Sequence, residues 1–381
     1  MTLRRVDVIA AGSPSADPYD PRATAWALAA GFATLGADVR VLHPATDADG
    51  AGPPGIASVP VPLPLRHPGA AAEPAEYAAA AGRRLRSDVE LVVRDPLGLG
   101  RTGVARGRGG PRVAGFARSV ELVGFDRERG GVPAAGLAGR LDTWRDRRAV
   151  RRLERAALEE ADRLFFDDPA LPAVLAREYD VPERRLVPAV PPVLSPGDVP
   201  GRPAARALLQ LPLDVPVVAA VASAEDPAVA GLDRAAETFR RVRPFFPGAR
   251  LVIVGGPAPT DPGVVRVPAR DRTSIAGVLA ASDVALFLRR PVGFDPGVIL
   301  ALRAGCVAVA GPATALPLDP GGAIRRVGSD DAGETASVLA ELLADPALRR
   351  SIAEPALAYA DRFRPERVAE AVAAAVQPVA A

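Results

Sequence analysis

The chain has 381 residues, of which 49% are hydrophobic, and its 47 basic residues nearly balance its 45 acidic ones. This length predicts two or three domains with a large buried core. The net charge of +2 argues against a nucleic-acid binder with a basic domain, and one Cys with two His excludes a disulfide framework and a Cys/His zinc site. Every basic residue is Arg, which excludes P-loop kinases, pyridoxal enzymes and Schiff-base aldolases.

The N-terminal segment and the hydropathy pattern predict where the chain resides. The N-terminus lacks the apolar core of about 7–15 residues that a signal peptide needs. No run of about 18 uncharged apolar residues occurs, so no membrane span is expected. We therefore expect a cytoplasmic protein.

Strands and helices alternate along the first half of the chain. Short apolar runs rich in β-branched residues predict buried strands, and longer Ala- or Arg-rich segments predict helices. The predicted strands are 5–10, 38–42, 88–93, 112–116 and 163–166, and the predicted helices are 23–35 and 139–161. This alternation is typical of βαβ units in a mostly parallel sheet.

A segment rich in Pro and Gly, residues 188–203, predicts a linker because it cannot continue a helix or a central strand. The predicted division is a domain over 1–187, a second over 204–363, and a closing helix over 364–381 that packs back on the first. The second half repeats the alternation, with strands at 215–221, 249–254, 264–267, 283–288 and 307–310, and helices at 231–242, 275–281, 297–304, 332–343, 347–363 and 365–376. Two doubly wound α/β domains would bind a ligand in a cleft at the carboxyl ends of their strands.

Several landmarks of one family occur in order. DVALFL at 283–288 and VGFDPGVILALRAGCVAVA at 292–310 resemble the signature segment of retaining glycosyltransferases of family-four type. LVIVGGP at 251–257 is similar to their strand and glycine turn, and EADRL at 160–164 with VPERRLV at 181–187 resembles the end of their first domain. The resemblance implies the GT-B fold: an N-terminal acceptor-side Rossmann-like domain and a C-terminal nucleotide-sugar domain facing a central cleft. It also implies a nucleotide-sugar donor, with no metal and no other cofactor.

The acids that the resemblance implies are replaced in this chain. The family has two glutamates eight positions apart, implied to hold the sugar and the ribose, and these positions are Val292 and Leu300. Neither side chain accepts a hydrogen bond or carries charge.

Other expected residues are replaced as well. The resemblance implies an Arg after the first strand of the second domain and a Lys before the next helix, where this chain has ASAE at 222–225 and Ala230. An acceptor-side His is expected near Ala117 or Arg118, and SPSAD at 13–17 takes the place of a glycine-rich acceptor loop. Five family features are therefore missing together.

Residues at strand ends and at the following helix are the candidates that remain for the donor. Arg289 and Arg290 end a strand, where they either face the cleft or form a solvated strand end. Asp295 before Pro296 predicts an N-cap and a first helical residue, an alternative to a ligand role. The nucleotide-sugar-binding candidates are Ser223, Gly255, Gly256, Arg289, Arg290, Gly293, Phe294, Asp295 and Gly297. No residue is assigned as catalytic.

Three further features each have a functional and a structural interpretation. His43 ends a strand and is either a base near neutral pH or part of a plain strand exit. His67 is expected at the surface, and Cys306 is expected to be a buried structural thiol. The helix over 140–155 carries seven Arg among acidic residues, which predicts a salt-bridged face or, as the alternative, contact with an anionic membrane.

These observations leave two leading functions. In the first, the protein transfers a sugar with retention from a nucleotide sugar to a glycan, lipid or small-molecule acceptor. In the second, it is a catalytically degenerate homologue, a pseudoenzyme that acts as partner, scaffold or regulator of an active glycosyltransferase. An unrelated binder or isomerase on a similar fold is a third alternative, because fold does not fix function.

Overall fold

A computed structural model describes residues 3–12, 23–45, 52–62, 72–104, 110–117, 136–195, 199–222, 231–255, 260–268, 272–289, 293–317 and 321–377. The chain forms two compact units, each built on a parallel sheet with flanking helices. The first unit contains Thr24–Pro192 and Pro365–Ala381 together with the N-terminal strand, and the second contains Val193–Arg364. The predicted α/β class with two doubly wound domains is confirmed.

The first unit contains a seven-stranded parallel sheet in the order β3-β2-β1-β4-β5-β6-β7. Its strands are β1 (Arg5–Ala10), β2 (Asp38–Pro44), β3 (Ile56–Val61), β4 (Leu91–Asp95), β5 (Arg112–Phe116), β6 (Arg163–Phe166) and β7 (Leu186–Pro188). Its helices are α1 (Ala23–Thr34), α2 (Ala72–Gly82), α3 (Gly136–Glu160), α4 (Leu171–Tyr179) and α11 (Pro365–Ala375).

Apolar residues on alternate sides of each strand give the first unit a core on both sheet faces. Leu91 and Val93 of β4 belong to the cluster that contains Trp26 of α1 and Val368 of α11. Val92, between them, belongs to the cluster that contains Ala157 of α3. Because both faces are covered, the strands are nearly continuous apolar runs, which is why their sequence signal is strong.

The last helix belongs to the first unit although it comes at the end of the chain. A Cβ added to Gly31 of α1 would lie 2.1 Å from the carbonyl oxygen of Pro365, at the start of α11. Only glycine permits this close approach, and the buried Val368, Ala369 and Val372 of α11 join the core beneath α1.

The second unit contains a six-stranded parallel sheet in the order β10-β9-β8-β11-β13-β15 and a two-stranded sheet of β12 and β14. Its strands are β8 (Val217–Val221), β9 (Arg250–Val254), β10 (Val264–Val267), β11 (Val284–Phe287), β12 (Gly293–Phe294), β13 (Val307–Ala310), β14 (Thr314–Ala315) and β15 (Arg325–Arg326). Its helices are α5 (Arg202–Leu208), α6 (Leu232–Val242), α7 (Arg272–Ala281), α8 (Pro296–Arg303), α9 (Ala332–Ala344) and α10 (Pro346–Asp361).

The elements that the sequence did not predict are short or lack an apolar period. β3 lies at the sheet edge, is largely exposed and contains Pro60, so its sequence lacks the continuous apolar run of a buried strand. β4 begins at Leu91 rather than at residue 88, so the charged Asp88 and Glu90 lie before the strand. The other unpredicted elements are α2, α4, α5, β7, β12, β14 and β15. Among the described residues, no helix combines the length and apolar character that crossing a membrane requires.

Candidate functional site

Strand order locates the edge of the second sheet where a ligand would bind. The chain leaves β8 toward β9 and β10, and it leaves β11 toward β13 and β15. Neighbouring strands whose connections diverge open a crevice at their carboxyl ends, which here are Val221 of β8 and Phe287 of β11. The first sheet diverges in the same way between β1 and β4.

A glycine brings α6 against the end of β11. Gly231 precedes the helix with a φ of +72°, in the left-handed region that favours glycine. A Cβ at this position would lie 2.0 Å from the carbonyl oxygen of Leu288. The first turn of α6 therefore reaches the carboxyl edge of the sheet, where the side chain of Arg234 extends to the end of β11.

Arg289 follows β11 and places a guanidinium group at this edge. Its Nη1 donates to the carbonyl oxygen of Phe294 at 3.2 Å and lies 3.8 Å from Oδ2 of Asp295. Its side chain is 24% exposed, and its Nε finds no hydrogen-bond acceptor within the part of the chain that the structure describes. The guanidinium thus presents part of its surface and its charge at this edge, whereas the unpaired Nε is buried.

Arg234 of α6 adds a second guanidinium beside the first. Its Nη2 donates to the carbonyl oxygen of Arg289 at 3.3 Å, and its Nη1 forms an ion pair with Asp330, which follows β15. The side chain of Arg234 is 16% exposed and that of Asp330 is 40% exposed. The two neighbouring arginines at the end of β11 are therefore flanked by Asp295 on one side and Asp330 on the other.

Asp295 is an N-cap, as its position before Pro296 predicts. Its Oδ1 accepts a hydrogen bond from the backbone N–H of Gly297 at 2.9 Å, and Pro296 begins α8. The carboxylate is buried, so it satisfies the helix end internally. Gly297 is consequently engaged by the cap rather than presented to a ligand.

The two-stranded sheet holds the segment that precedes α8. Gly293 and Phe294 pair with Thr314 and Ala315, and the Thr314 hydroxyl donates to the carbonyl oxygen of Phe287 at 2.9 Å. The Phe294 ring lies parallel to that of Phe363, with centroids 5.8 Å apart. Phe294 is therefore a packing residue in this structure.

The remaining donor-site candidates are placed only in part. Gly255 follows β9 with a φ of +71°, and its N–H donates to the carbonyl oxygen of Val267 at 3.1 Å. Leu300 of α8 is only 2% exposed and lies among apolar neighbours. Ser223, Gly256, Arg290 and Val292 lie outside the described residues, as do Glu225, Ala230, Arg118, His67 and the segment 13–17.

His43 is a structural residue of the first unit. The imidazole is fully buried within β2, with Nδ1 3.0 Å from the carbonyl oxygen of Pro44 and Nε2 2.8 Å from the Ser58 hydroxyl. Its ring also packs against Trp26, with centroids 5.7 Å apart. The interpretation of His43 as a base is wrong, because no face of the ring is open to a substrate. Cys306 is buried as predicted, and burial raises the pKa of its thiol.

A buried polar cluster at the end of β4 was not predicted. Nη1 of Arg94 donates to Glu160 at 2.9 Å and to the carbonyl oxygen of Gly100 at 3.0 Å. Glu160 also accepts the backbone N–H groups of Thr102 and Gly103, each at 2.9 Å. Burial lowers the pKa of Arg94, and Glu160 opposes that shift. The Arg at the end of an apolar run was the only local signal for this cluster.

Tyr77 closes the same edge beside β1 and β2. Its hydroxyl lies 2.6 Å from the carbonyl oxygen of Ala10 and 2.8 Å from that of Leu42, so its single O–H is shared between these two acceptors. Burial raises the pKa of Tyr77 above its usual range, and the phenol stays protonated as a donor.

Ala117, near the position where the resemblance implies an acceptor-side His, is buried, and its N–H donates to the carbonyl oxygen of Phe165 at 2.8 Å.

The described part of α3 presents a basic face. Arg148, Arg151, Arg152 and Arg155 are exposed at helical spacing, and Arg151 donates to the carbonyl oxygen of Glu178 at 3.0 Å. Among the described residues, no group of three or more His, Cys, Asp or Glu could hold a metal ion.

Solved structures similar to this chain are glycosyltransferases and related proteins. WaaG, a glycosyltransferase involved in lipopolysaccharide biosynthesis, has a TM-score of 0.68 and 18% identity over 96% of this chain and 99% of its own. Sucrose-phosphate synthase from Thermosynechococcus elongatus has a TM-score of 0.68 and 18% identity over 97% and 98%. Anabaena HepE, in complex with UDP and glucose, has a TM-score of 0.65 and 14% identity over 97% and 98%.

These comparisons show the fold: the chain has the two-domain α/β architecture of GT-B glycosyltransferases. No protein-family model matches its sequence, and no curated protein matches it by sequence.

Proposed function

We propose that this protein binds a nucleotide sugar at the carboxyl edge of its second sheet and transfers the sugar with retention of configuration. The observation that carries the proposal is the pair of partly exposed guanidinium groups, Arg234 and Arg289, at the end of β11. The ligand class is supported by HepE, whose structures are described as complexes with UDP and with UDP-glucose.

The charge of the donor explains why two arginines matter at this edge. A nucleoside diphosphate is a polyanion, and guanidinium groups bind phosphate oxygens through paired N–H donors. The side chains of both arginines are partly exposed, and the partner of Arg234, Asp330, is an accessible carboxylate that a diphosphate can displace. They take the place of the Arg and Lys that the sequence lacks at the expected positions.

The proposed transfer develops negative charge where these arginines lie. The bond between the anomeric carbon and the diphosphate oxygen breaks, and its electron pair leaves with the nucleoside diphosphate. The acceptor hydroxyl oxygen forms the new bond on the same face of the sugar, and its proton passes to the departing phosphate. Fixed positive groups favour this step because they interact more strongly with the leaving group than with the intact donor.

A titration calorimetry experiment with UDP-glucose, GDP-glucose and ADP-glucose tests the binding. We expect one of them to bind, and Arg289→Ala to weaken it about 10- to 100-fold, because a hydrogen bond to a charged group contributes about 1.5–3 kcal/mol. Arg350→Ala, a change at an exposed arginine of α10, serves as the control and should bind like the wild type. Absence of binding by all three donors would refute the proposal.

The second candidate is a protein that keeps the binding site without the chemistry. It is favoured by Leu300, a buried apolar side chain at a position where the resemblance implies an acid. Such a protein would bind the donor and act on a partner transferase. The two candidates differ in turnover. A transferase releases nucleoside diphosphate from the bound donor, and ¹H NMR of its product should show the anomeric configuration of the donor. Binding without release, together with co-purification of a glycosyltransferase, supports the second candidate.

A further inference from the structure

A pocket of about 470 Å³ lies in the second unit between α7, α8 and the segment that leads into α5. Ala276 and Ala280 of α7 face Leu300, Arg303 and Ala304 of α8 across it, and Arg202 lies at its rim. Small-molecule sites typically enclose about 300–1,000 Å³, so this volume suits one small organic molecule.

This pocket is distinct from the carboxyl edge of the sheet. Arg202 donates to Oδ1 of Asp283 at 3.3 Å and to the carbonyl oxygen of Gly305 at 3.0 Å. Asp283 immediately precedes β11 and Gly305 precedes β13, so the rim lies at the amino ends of these strands. A four-residue strand spans about 13 Å, which separates the rim from Arg289 at the opposite end of β11.

Two small residues create the space. Ala276 and Ala280 are one helical turn apart on α7, so both point to the same side of that helix. Both are buried, as is Leu300 opposite them, so these three side chains form an apolar part of the pocket wall. A larger side chain at either alanine would occupy the volume directly.

The rim carries two arginine side chains. Arg202 has a side chain that is 41% exposed, and two of its five N–H donors are hydrogen-bonded within the described residues. Arg303 enters from α8 and donates to the Ser195 hydroxyl at 2.9 Å, which holds the opposite side of the rim in place. No acidic residue is among the described lining residues.

We propose that this pocket binds a small carboxylate that carries a compact apolar body. The apolar part lies against Ala276, Ala280 and Leu300, and the carboxylate pairs with the remaining donors of Arg202. A planar carboxylate matches the forked geometry of a guanidinium, which favours it over an uncharged polar group. The site is independent of nucleotide-sugar binding at the carboxyl edge.

Ligand-observed NMR with benzoate and 4-methylpentanoate tests the proposal on the full chain. Benzyl alcohol lacks the charge, and acetate and inorganic phosphate lack the apolar body. We expect both carboxylates with an apolar body to bind more tightly than these three probes. Ala280→Leu should weaken benzoate about tenfold or more, which is about 1.4 kcal/mol. Ala347→Leu, which adds the same side chain at an exposed position of α10, should leave the affinity unchanged.

Two further measurements separate pocket binding from other causes. Arg202→Gln should reduce benzoate affinity but not that of benzyl alcohol, while Arg206 continues to hold Asp283 at 2.8 Å and preserves the local fold. UDP-glucose titrations should give the same result for Ala280→Leu and the wild type, whether or not the donor binds. The proposal is overturned if benzoate fails to bind, or if it binds Ala280→Leu as tightly as the wild type.

Discussion

The carboxyl edges of the two sheets diverge at equivalent strands, yet they hold their charges differently. At the end of β4, the side chains of Arg94 and Glu160 are 3% and 4% exposed and satisfy each other and the adjacent loop. At the end of β11, Arg234 and Arg289 retain 16% and 24% exposure and contact carboxylates at the margin of the sheet. Buried and mutually satisfied charges are part of the fold, whereas accessible cations can exchange a carboxylate for a ligand.

Removing one partner of the buried pair should have the largest effect. In Glu160→Ala, Arg94 would remain buried without its carboxylate, and Thr102 and Gly103 would lose their acceptor. We expect the free energy of unfolding to fall by about 3–5 kcal/mol. Urea unfolding followed by Trp fluorescence measures this loss in the first unit, because both Trp residues, Trp26 and Trp144, belong to it.

Two further variants test whether the buried pair at the carboxyl edge of the first sheet accounts for this loss. Glu159→Ala removes the neighbouring acid, whose pair with Arg101 is exposed, and should change stability by less than about 1 kcal/mol. The double variant Arg94→Met with Glu160→Gln removes both charges and keeps an acceptor, so it should be more stable than Glu160→Ala. Equal losses in Glu159→Ala and Glu160→Ala would contradict the contrast between the two edges.

At the carboxyl edge of the second sheet, we expect a backbone contact, rather than a buried charge, to hold α6 in place. Gly231→Ala would place a Cβ 2.0 Å from the carbonyl oxygen of Leu288 in a left-handed conformation. We expect a loss of more than about 2 kcal/mol from strain and displacement of α6. Differential scanning calorimetry of the full chain measures it.

Gly277 of α7 provides the matched substitution. A Cβ there meets no atom within 4 Å, and its position within a helix favours alanine. Gly277→Ala should therefore raise stability by roughly 0.5–1 kcal/mol. If Gly231→Ala behaved like Gly277→Ala, the close approach of α6 to β11 would not be what shapes the second edge.

The main strands were predictable because both of their faces are buried. β1, β5, β6 and β13 begin and end where the apolar runs do, and burial on two faces is what produces such runs. β10 is an edge strand with no buried residue, and it was predicted from its run of valines instead. β3 was missed because an exposed edge strand carries no such constraint. The N-cap role of Asp295 was predictable from its neighbour Pro296, since capping depends only on adjacent residues.

The polar contacts of the sites were less predictable because they join distant parts of the chain. Arg94 and Glu160 are 66 positions apart, and Arg234 meets Asp330 across 96 positions. No local pattern encodes such a pair, and only the strand order brings its members together. For the same reason the sequence left two interpretations of His43 open: it showed the position at a strand end, but it could not show the Ser58 partner or the complete burial that exclude a base.

The smallest expected effect concerns the charge of the second edge. Asp295→Ala removes the cap of α8, which should cost about 1 kcal/mol, and also removes the carboxylate that lies 3.8 Å from Arg289. Because this change removes a largely buried negative charge near the donor's phosphates, UDP-glucose affinity should rise by up to about fivefold, which is about 1 kcal/mol.

Asp345 caps α10 in the same manner, accepting from Ala347 and Leu348, and among the contacts of the described residues neither Arg234 nor Arg289 pairs with it. Asp345→Ala should therefore lose a helix cap without changing UDP-glucose affinity, as measured by titration calorimetry. If Asp295→Ala instead weakened the donor while Asp345→Ala did not, Asp295 itself would contact the ligand. In that case the donor would displace Asp295 from the cap of α8. The Asp295 carboxylate would then take part in ligand recognition instead of only balancing the charge of Arg289.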